Sequence, residues 1–425
     1  MKFQTLPLLA PLLYVDPIDS DLTNECSSRG VPVLAVWSQA YLRVPRAQRQ
    51  MPTVRTDVAR APGDGEEASW AAKRLNGGIS FASVICGSEA GLSCAERLQH
   101  SLVPTRSNGL CVARRDKMLM NQMLSLNGLL TAAHVSPSDW PEAERFIRAL
   151  PDQRVVLKPR RGTGSAGVTL TCDLVHARRA FNALKAPFVS DDEVTTAPLV
   201  MEFLDGEEWV VDTVSRNGEH KAVALWRYSK GFANSAPFVY FYDEIMPATG
   251  EPEKELIQYA FDALDALHWR WGPCHIELKR TSRGPALIEV NAGRCNGVRF
   301  AILTNPCIGY SAYDAIFAAY YDEAKWVALP PVPPSTLCAS GRLVKLVSTA
   351  QGRLKSLNDT AAEEIRVLPS VVSFDPKYTK PGQRVRLTVD LLSAAGYCTL
   401  LHQNPDVVDR DYQMIAQLQR SLFIV

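Results

Sequence analysis

Two short segments, Cys-His-Ile-Glu-Leu-Lys at 274–279 and Ala-Leu-Ile-Glu-Val-Asn at 286–291, flank a turn containing Ser282, Arg283 and Gly284. A β-hairpin centred on Arg283 sets Glu277 opposite Glu289 and His275 opposite Asn291. Strand alternation then puts all four on one face and sends Ile276, Leu278, Ile288 and Val290 to the other. Opposed carboxylates repel, so a chain that keeps such a pair needs a cation between them. Glutamate and asparagine offer only oxygen, the donor set of Mg²⁺ (or Mn²⁺) bridging nucleotide phosphates. The plain alternative is a solvated polar face partly neutralised by Lys279. A slip of one residue in register would undo the pairing.

Upstream, Val-Val-Leu-Lys-Pro-Arg-Arg-Gly-Thr-Gly-Ser-Ala-Gly-Val at 155–168 contains both a GxGxxG spacing and a Walker-like one. Neither context fits. Val168 stands where a Walker lysine belongs, and Val168-Thr169-Leu170-Thr171 is β-branched, whereas a dinucleotide loop opens a helix. A strand, a glycine loop and a returning strand make a flap whose backbone N–H groups can fold over phosphates. Lys158 sits on the feeding strand as a point cation for phosphate oxygens. An ordinary glycine hairpin is the alternative. Leu-Val-Met-Glu-Phe-Leu-Asp-Gly-Glu-Glu-Trp at 199–209 adds an apolar strand running into an acidic turn, and Lys117 opens a helical stretch. Neither is informative alone.

These groups need elements to hold them. Residues 7–18, 31–37 and 81–86 read as strands, and 20–29 and 89–102 as helices, an alternation that predicts a parallel sheet. A helix is expected over 115–130, strands over 154–159 and 168–171, and a helix over 174–184. Further strands fall at 198–203, 208–215 and 222–229, a helix at 253–267 and the hairpin at 273–291. Four prolines in 329–337 mark a linker, beyond which 340–425 mixes strands with a last helix at 409–422.

Composition narrows the function classes. A chain that is 46% hydrophobic with a net charge of +1 can bury cores and lacks the basic bias of a dedicated nucleic-acid binder. No apolar run approaches the ~20 residues of a membrane span. The stretch 6–15 holds two prolines and no signal-peptide pattern. The ten cysteines are scattered without a CxxC pair, which reads as reduced thiols and a cytoplasmic location. No HRD or DFG marks a protein kinase, and no AMKM-like segment marks a biotin carrier.

In order, Lys117, Lys158 with Gly162–Gly167, Glu202 to Glu208, and Glu277 with Glu289-Val290-Asn291 resemble the ATP-grasp superfamily over about residues 111–310. Within it the chain looks most like carboxylate–amine ligases of the L-amino-acid ligase, or dipeptide synthase, type. The resemblance implies an α/β (α+β multidomain) architecture: a Rossmann-like N-terminal domain (1–110), an ATP-grasp domain (111–328) with flap 160–168 and metal hairpin 273–294, and a β-rich C-terminal domain (329–425). It implies that Lys117 and Lys158 bind ATP phosphates under the flap, with Gly162, Gly164, Ser165 and Gly167. Met201 to Leu204 would border adenine, with Glu202, Phe203 and Leu204 in contact, and Glu208 would hold the ribose. Glu277, Glu289 and Asn291 would ligate Mg²⁺. Arg294 would act with Lys158 on the reacting carboxylate, although the family pattern E-x-N-x-R has Gly293 at its last position here, so a bulge would have to redirect Arg294. His275, Arg294 and Arg227 would meet the substrate, with Trp226, Tyr228 and 232–242 as further walls.

The implied activity is amide formation between two amino acids through an acyl phosphate, releasing ADP and phosphate. The partners are small carboxylate and amine substrates, with neither nucleic acid nor membrane, in a chain that could pair as a homodimer. The alternatives are a ligase for a non-amino-acid carboxylate, a carboxylase-like enzyme, or a nucleotide-binding protein without catalysis.

Overall fold

A computed structural model describes residues 9–18, 20–44, 58–60, 62–63, 65–162, 167–185, 188–190, 193–195, 198–295 and 298–425. Near the N-terminus, strands Val58–Arg60, Val33–Trp37, Leu12–Val15 and Ser83–Cys86 lie side by side in that order, all parallel. Leu12–Val15 and Ser83–Cys86 are buried along their whole length, as central parallel strands require. The chain builds outward from Leu12–Val15 on one side, then returns on the other. The carboxyl ends of Leu12–Val15 and Ser83–Cys86 therefore border a switch-point crevice, the usual ligand position in such sheets.

A second sheet is antiparallel and orders His134–Val135, Pro198–Glu202, Val155–Pro159 and Thr169–Thr171. Helices Trp140–Ala149 and Leu174–Lys185 cover it through Ala143, Ile147, Ala177 and Phe181, which pack on Val155, Leu157 and Val200. Thr169–Thr171 pairs antiparallel with Val155–Pro159, the returning strand expected from the β-branched residues after the glycines.

The largest sheet has eight strands, ordered Gly284–Ala292, Gly272–Thr281, Glu207–Arg216, Glu219–Ala233, Ala236–Met246, Ser340–Lys345, Gly396–His402 and Val371–Pro376. Helix Glu251–Ala266 packs one face through Leu256, Ala260, Ala263 and Leu264 against Ile276, Leu278, Leu287 and Val290. Helix Ala312–Tyr321 caps the same sheet near the parallel one and joins a core that includes Leu12, Tyr14 and Ile85.

Two expectations change. The proline-rich stretch 329–337 is no free spacer: the carbonyls of Pro331 and Pro334 accept from the N–H groups of Ala222 (2.9 Å) and Ala248 (3.1 Å). The sheet continues across it, since Ser340–Lys345 pairs with Ala236–Met246. The last helix is Pro405–Leu418 rather than 409–422, because Asn404 caps the Asp406 N–H at 2.9 Å and Pro405 suits the first turn. Among the described residues no helix is long and apolar enough to cross a membrane.

Candidate active site

The hairpin has the expected pairs, Glu277 opposite Glu289 and His275 opposite Asn291, by a different route. Its turn is tight, Thr281 pairing with Gly284, so next to the turn Leu278 faces Leu287. A bulge beyond Leu278 then inserts one residue on the returning strand and restores the glutamate pair. The extra residue is Ile288, which lines the cavity while Ile276, Leu278 and Val290 stay in the core. Its expected place on the core face is thereby corrected.

Lys117 begins helix Lys117–Leu126 behind the cap Asp116, whose carboxylate accepts from the N–H groups of Met118 (3.0 Å) and Leu119 (3.3 Å) and from Arg160 (2.6 Å). That cap ties the helix to the flap strand, where the Lys117 N–H donates to the Arg160 carbonyl at 2.9 Å. The Lys117 ammonium donates to Glu289 Oε1 at 2.8 Å and to the Gly162 carbonyl at 2.7 Å, with Glu89 at 4.0 Å. Burial opposes its charge, but Glu289 and Glu89 hold its pKa above the ordinary lysine value. Among the described residues Lys158 has no such close anion. Burial and then the like charge of Lys117 bring it down to about 8. Two lysines of unlike proton affinity thus stand at one end of the cavity.

Asn291 bridges to Arg294. Its Nδ2 donates to Glu277 Oε1 at 3.2 Å, and Arg294 Nη2 donates to Asn291 Oδ1 at 3.0 Å. Gly293 makes this possible. Its φ of +88°, costly for any other residue, turns the chain after Ala292 so that Arg294 comes back to the face of the hairpin. Behind Glu277 runs a buried chain of contacts: Trp226 Nε1 donates to Asp212 at 2.9 Å, Asp212 pairs with His275 Nδ1 at 2.8 Å, and His275 Nε2 lies 3.6 Å from Glu277. Burial works against the histidine's charge, yet Asp212 and Glu277 raise it to about 9. Burial likewise opposes charge on Glu277, but His275 and Lys230 bring it to about 2.

The cavity measures about 140 Å³. Ala132, Val156, Val168, Met201, Phe203, Leu204 and Leu287 give it an apolar end, and Lys117, Lys158, Glu277 and Glu289 a charged one. Glu202 at the apolar end accepts from the Ala133 N–H at 3.0 Å and from Arg283 at 2.7 Å. Glu208 lines the wall, is ion-paired with Lys230 and lies 3.8 Å from Lys279. Gly162 also lines it, and Gly167 has a φ of +73°. Gly164 and Ser165 lie outside the described residues.

Of the further walls expected from sequence, Phe238 and Tyr240 line the cavity. Trp226 does not: it is buried edge-to-face on Phe300, 4.7 Å between centroids. Arg227 points from the other face of its strand to Glu244 at 2.5 Å, and is absent from the cavity lining among the described residues. Sequence reasoning missed Lys230 and Glu89. Lys230 could have been found by stepping two residues along the strand from Tyr228, which pairs with Glu208. Glu89 sits in a loop of the N-terminal sheet, and nothing local signals it.

Glu277 and Glu289 face each other across the hairpin, with Asn291 hydrogen-bonded to Glu277 and its own oxygen on Arg294, and among the described residues no third His, Cys, Asp or Glu completes a metal cluster with the two carboxylates. Such a sparse oxygen set fits Mg²⁺, which keeps waters and takes substrate phosphate oxygens, better than an all-protein cage.

Residues 152–302 match the ATP-grasp domain family. These residues make up an ATP-grasp domain, that of a family that uses ATP, and the likenesses that follow support an ATP-grasp ligase. It is 27% identical over 344 residues to dapdiamide A synthase from Enterobacter agglomerans, a match covering 80% of this chain and 80% of that one. Its fold is similar to that of an L-amino acid ligase from Bacillus licheniformis, with a TM-score of 0.72 over 98% of both chains at 16% identity. It is also similar to a carboxyaminoimidazole ribonucleotide synthase from Aspergillus clavatus complexed with ATP, with a TM-score of 0.64 over 96% of this chain and 98% of that one at 15% identity.

Proposed function

We propose that the chain joins two amino acids by an amide bond, activating one carboxylate as an acyl phosphate and releasing ADP and phosphate. The observation that carries this reading is the grouping of Lys117, Lys158, Glu277 and Glu289 at one end of a cavity whose other end is apolar, with Arg294 tied to Glu277 through Asn291. A nucleotide whose base lies against Met201, Phe203 and Leu204 directs its terminal phosphates into that charged end. Fold likeness to an enzyme named an L-amino acid ligase and sequence likeness to one named a synthase support the same choice. The division into units 1–110, 111–328 and 329–425, and a cytoplasmic location, belong to this proposal.

In the proposed reaction the substrate carboxylate attacks the γ-phosphorus of ATP and ADP leaves. The amine nitrogen then attacks the acyl carbon, loses a proton, and phosphate leaves with one former carboxylate oxygen. Lys117 and Lys158 hold the phosphates, Arg294 presents a two-pronged donor to the carboxylate, and Glu208 with Lys230 shapes the ribose wall. Glu277, Glu289 and Asn291 would hold Mg²⁺, which supplies charge neutralisation to the phosphates. The work of the protein is positioning and electrostatic stabilisation, which is why no nucleophile or triad is needed.

The test is isotopic. With ¹⁸O in the acid's carboxylate, one label is expected in orthophosphate, with ADP and amide formed one to one. AMP as product, or unlabelled phosphate, would overturn the acyl-phosphate reading.

A further inference from the structure

Two strands of the large sheet run past their neighbours. Among the described residues, Glu219–Ala233 pairs with Glu207–Arg216 only as far as Tyr228, opposite Glu208. Ala236–Met246 pairs with Ser340–Lys345 only from Tyr242, opposite Val344. Residues 229–241 therefore project as a two-stranded arm. Its turn, Asn234-Ser235, has φ values of +50° and +64°, which suit a tight hairpin. The arm carries Lys230, Phe238 and Tyr240 to the wall of the cavity. Lys230 pairs with Glu208, lies 3.8 Å from the centroid of the Tyr240 ring, and acts on the charge of Glu277.

A two-stranded hairpin standing alone is marginally stable in water. Within the arm Val239 is fully buried, and the Phe241 ring lies so close to Gly231 that a Cβ there would be 2.7 Å from it. The tip is held from outside. Asn234 Nδ2 donates to the carbonyls of Ser348 (2.9 Å) and Thr388 (2.8 Å), in two loops beyond the proline-rich stretch. Those loops are tied to each other as well. The Ser348 N–H donates to the Thr388 hydroxyl at 2.9 Å, and the Thr388 N–H to the Ser348 carbonyl at 3.1 Å. Both residues are buried. Two carbonyls converging on one side chain call for an –NH₂ group, which asparagine has and a carboxylate lacks. A turn that needed only its positive φ would be served as well by glycine.

We propose that Asn234 is a positioning residue for the nucleotide: by clasping the arm to Ser348 and Thr388 it sets Lys230, Phe238 and Tyr240 against ATP. This rests on the nucleotide reading of the cavity and adds that loops near the end of the chain control nucleotide affinity from outside it. Freed from the clasp, the arm holds the binding geometry only part of the time, and the apparent affinity falls by that fraction. Loss of two hydrogen bonds, each worth a factor of several, makes this a fall of about tenfold.

Calorimetric titration of the full chain with a non-hydrolysable ATP analogue tests the clasp. Asn234→Gly keeps the turn's φ and removes the amide, and is expected to weaken binding about tenfold with the melting temperature within a few degrees. Asn234→Asp, which sets a carboxylate against two carbonyls, is expected to weaken it at least as much. In the glycine variant KM for ATP should rise by the same factor while kcat falls by less than about twofold. Lys230→Met is expected to weaken binding by itself, and the two changes together by less than the product of their separate effects. A turn that served the fold alone would not show that coupling. Wild-type affinity in Asn234→Gly overturns the proposal, as does a pair whose effects multiply. Should the variants fail to fold, amide hydrogen exchange on the wild-type chain decides. Bound analogue is expected to slow exchange over 229–241 by about fivefold or more, and an unchanged rate overturns the proposal. Analogue binding without ADP release from any acid and amine would sink the ligase reading alone.

Discussion

Replacing Lys158 by arginine should remove a pH dependence that the wild-type chain carries in its affinity for ATP. Lys158 is 8% exposed on strand Val155–Pro159, and burial and Lys117 lower its pKa to about 8 against the pull of Glu289, Glu277 and Glu208. Phosphate binds the ammonium and not the amine, so the complex requires the proton. The sign follows: affinity is complete below about pH 8 and is lost as pH rises through it. Roughly nine tenths of the free chain is charged at about pH 7 and roughly one tenth at about pH 9. The affinity should therefore fall about tenfold over that range, or ~1.4 kcal/mol. Calorimetric titration with a non-hydrolysable ATP analogue at several pH values measures this. The Lys158→Arg variant keeps its charge throughout, so its profile should be flat or nearly so. His275, at about 9, loses its proton toward the top of the same range, and the arginine variant separates the two. A flat wild-type profile, or an arginine variant that falls as steeply as wild type, would refute the reasoning.

Two further outcomes are expected. Glu289→Gln should abolish ligation while the melting temperature stays within a few degrees, because it would remove a hard ligand of the proposed Mg²⁺ and breaks the Lys117 pair at 2.8 Å but leaves the strand packing alone. Its titration with Mn²⁺ followed by electron paramagnetic resonance should show weakened binding, and wild-type Mn²⁺ affinity would contradict the assignment. Gly293→Ala should lower kcat about tenfold or more with ATP affinity within twofold, since a side chain at φ +88° costs about 1 kcal/mol and shifts Arg294. Unchanged kcat would mean that Arg294 takes no part in the chemistry.

Much of this was written in local pattern. Alternation and spacing determined that Glu277, Glu289, His275 and Asn291 share a face, that the strand bearing Lys158 pairs with a returning strand, and that the N-terminal strands are parallel, because a strand's period and a turn's chemistry depend on neighbours along the chain. The glutamate pair was reached from a turn centred on Arg283, whereas a tighter turn and a bulge at Ile288 cancel to the same register. Local pattern alone does not separate those two routes. Arg227 and Trp226 show the complementary limit. Arg227 points away from the cavity to Glu244, whereas Trp226 points to the opposite face and is covered there by Phe300, and neither outcome is encoded along the strand itself.

What tertiary structure alone decided is where separate units meet. Glu89 lies 28 positions before Lys117 and 200 before Glu289 in sequence, yet the three converge because the carboxyl end of Ser83–Cys86 abuts the helix start at Lys117 and the hairpin end at Gly293. Arg294 reaches Asn291 only through the left-handed turn at Gly293, packed against Leu92. Sequence determined the residue types and their local spacing. The contacts among Glu89, Lys117 and Arg294's turn come from burial of apolar surface between elements far apart in the chain, which no local period encodes.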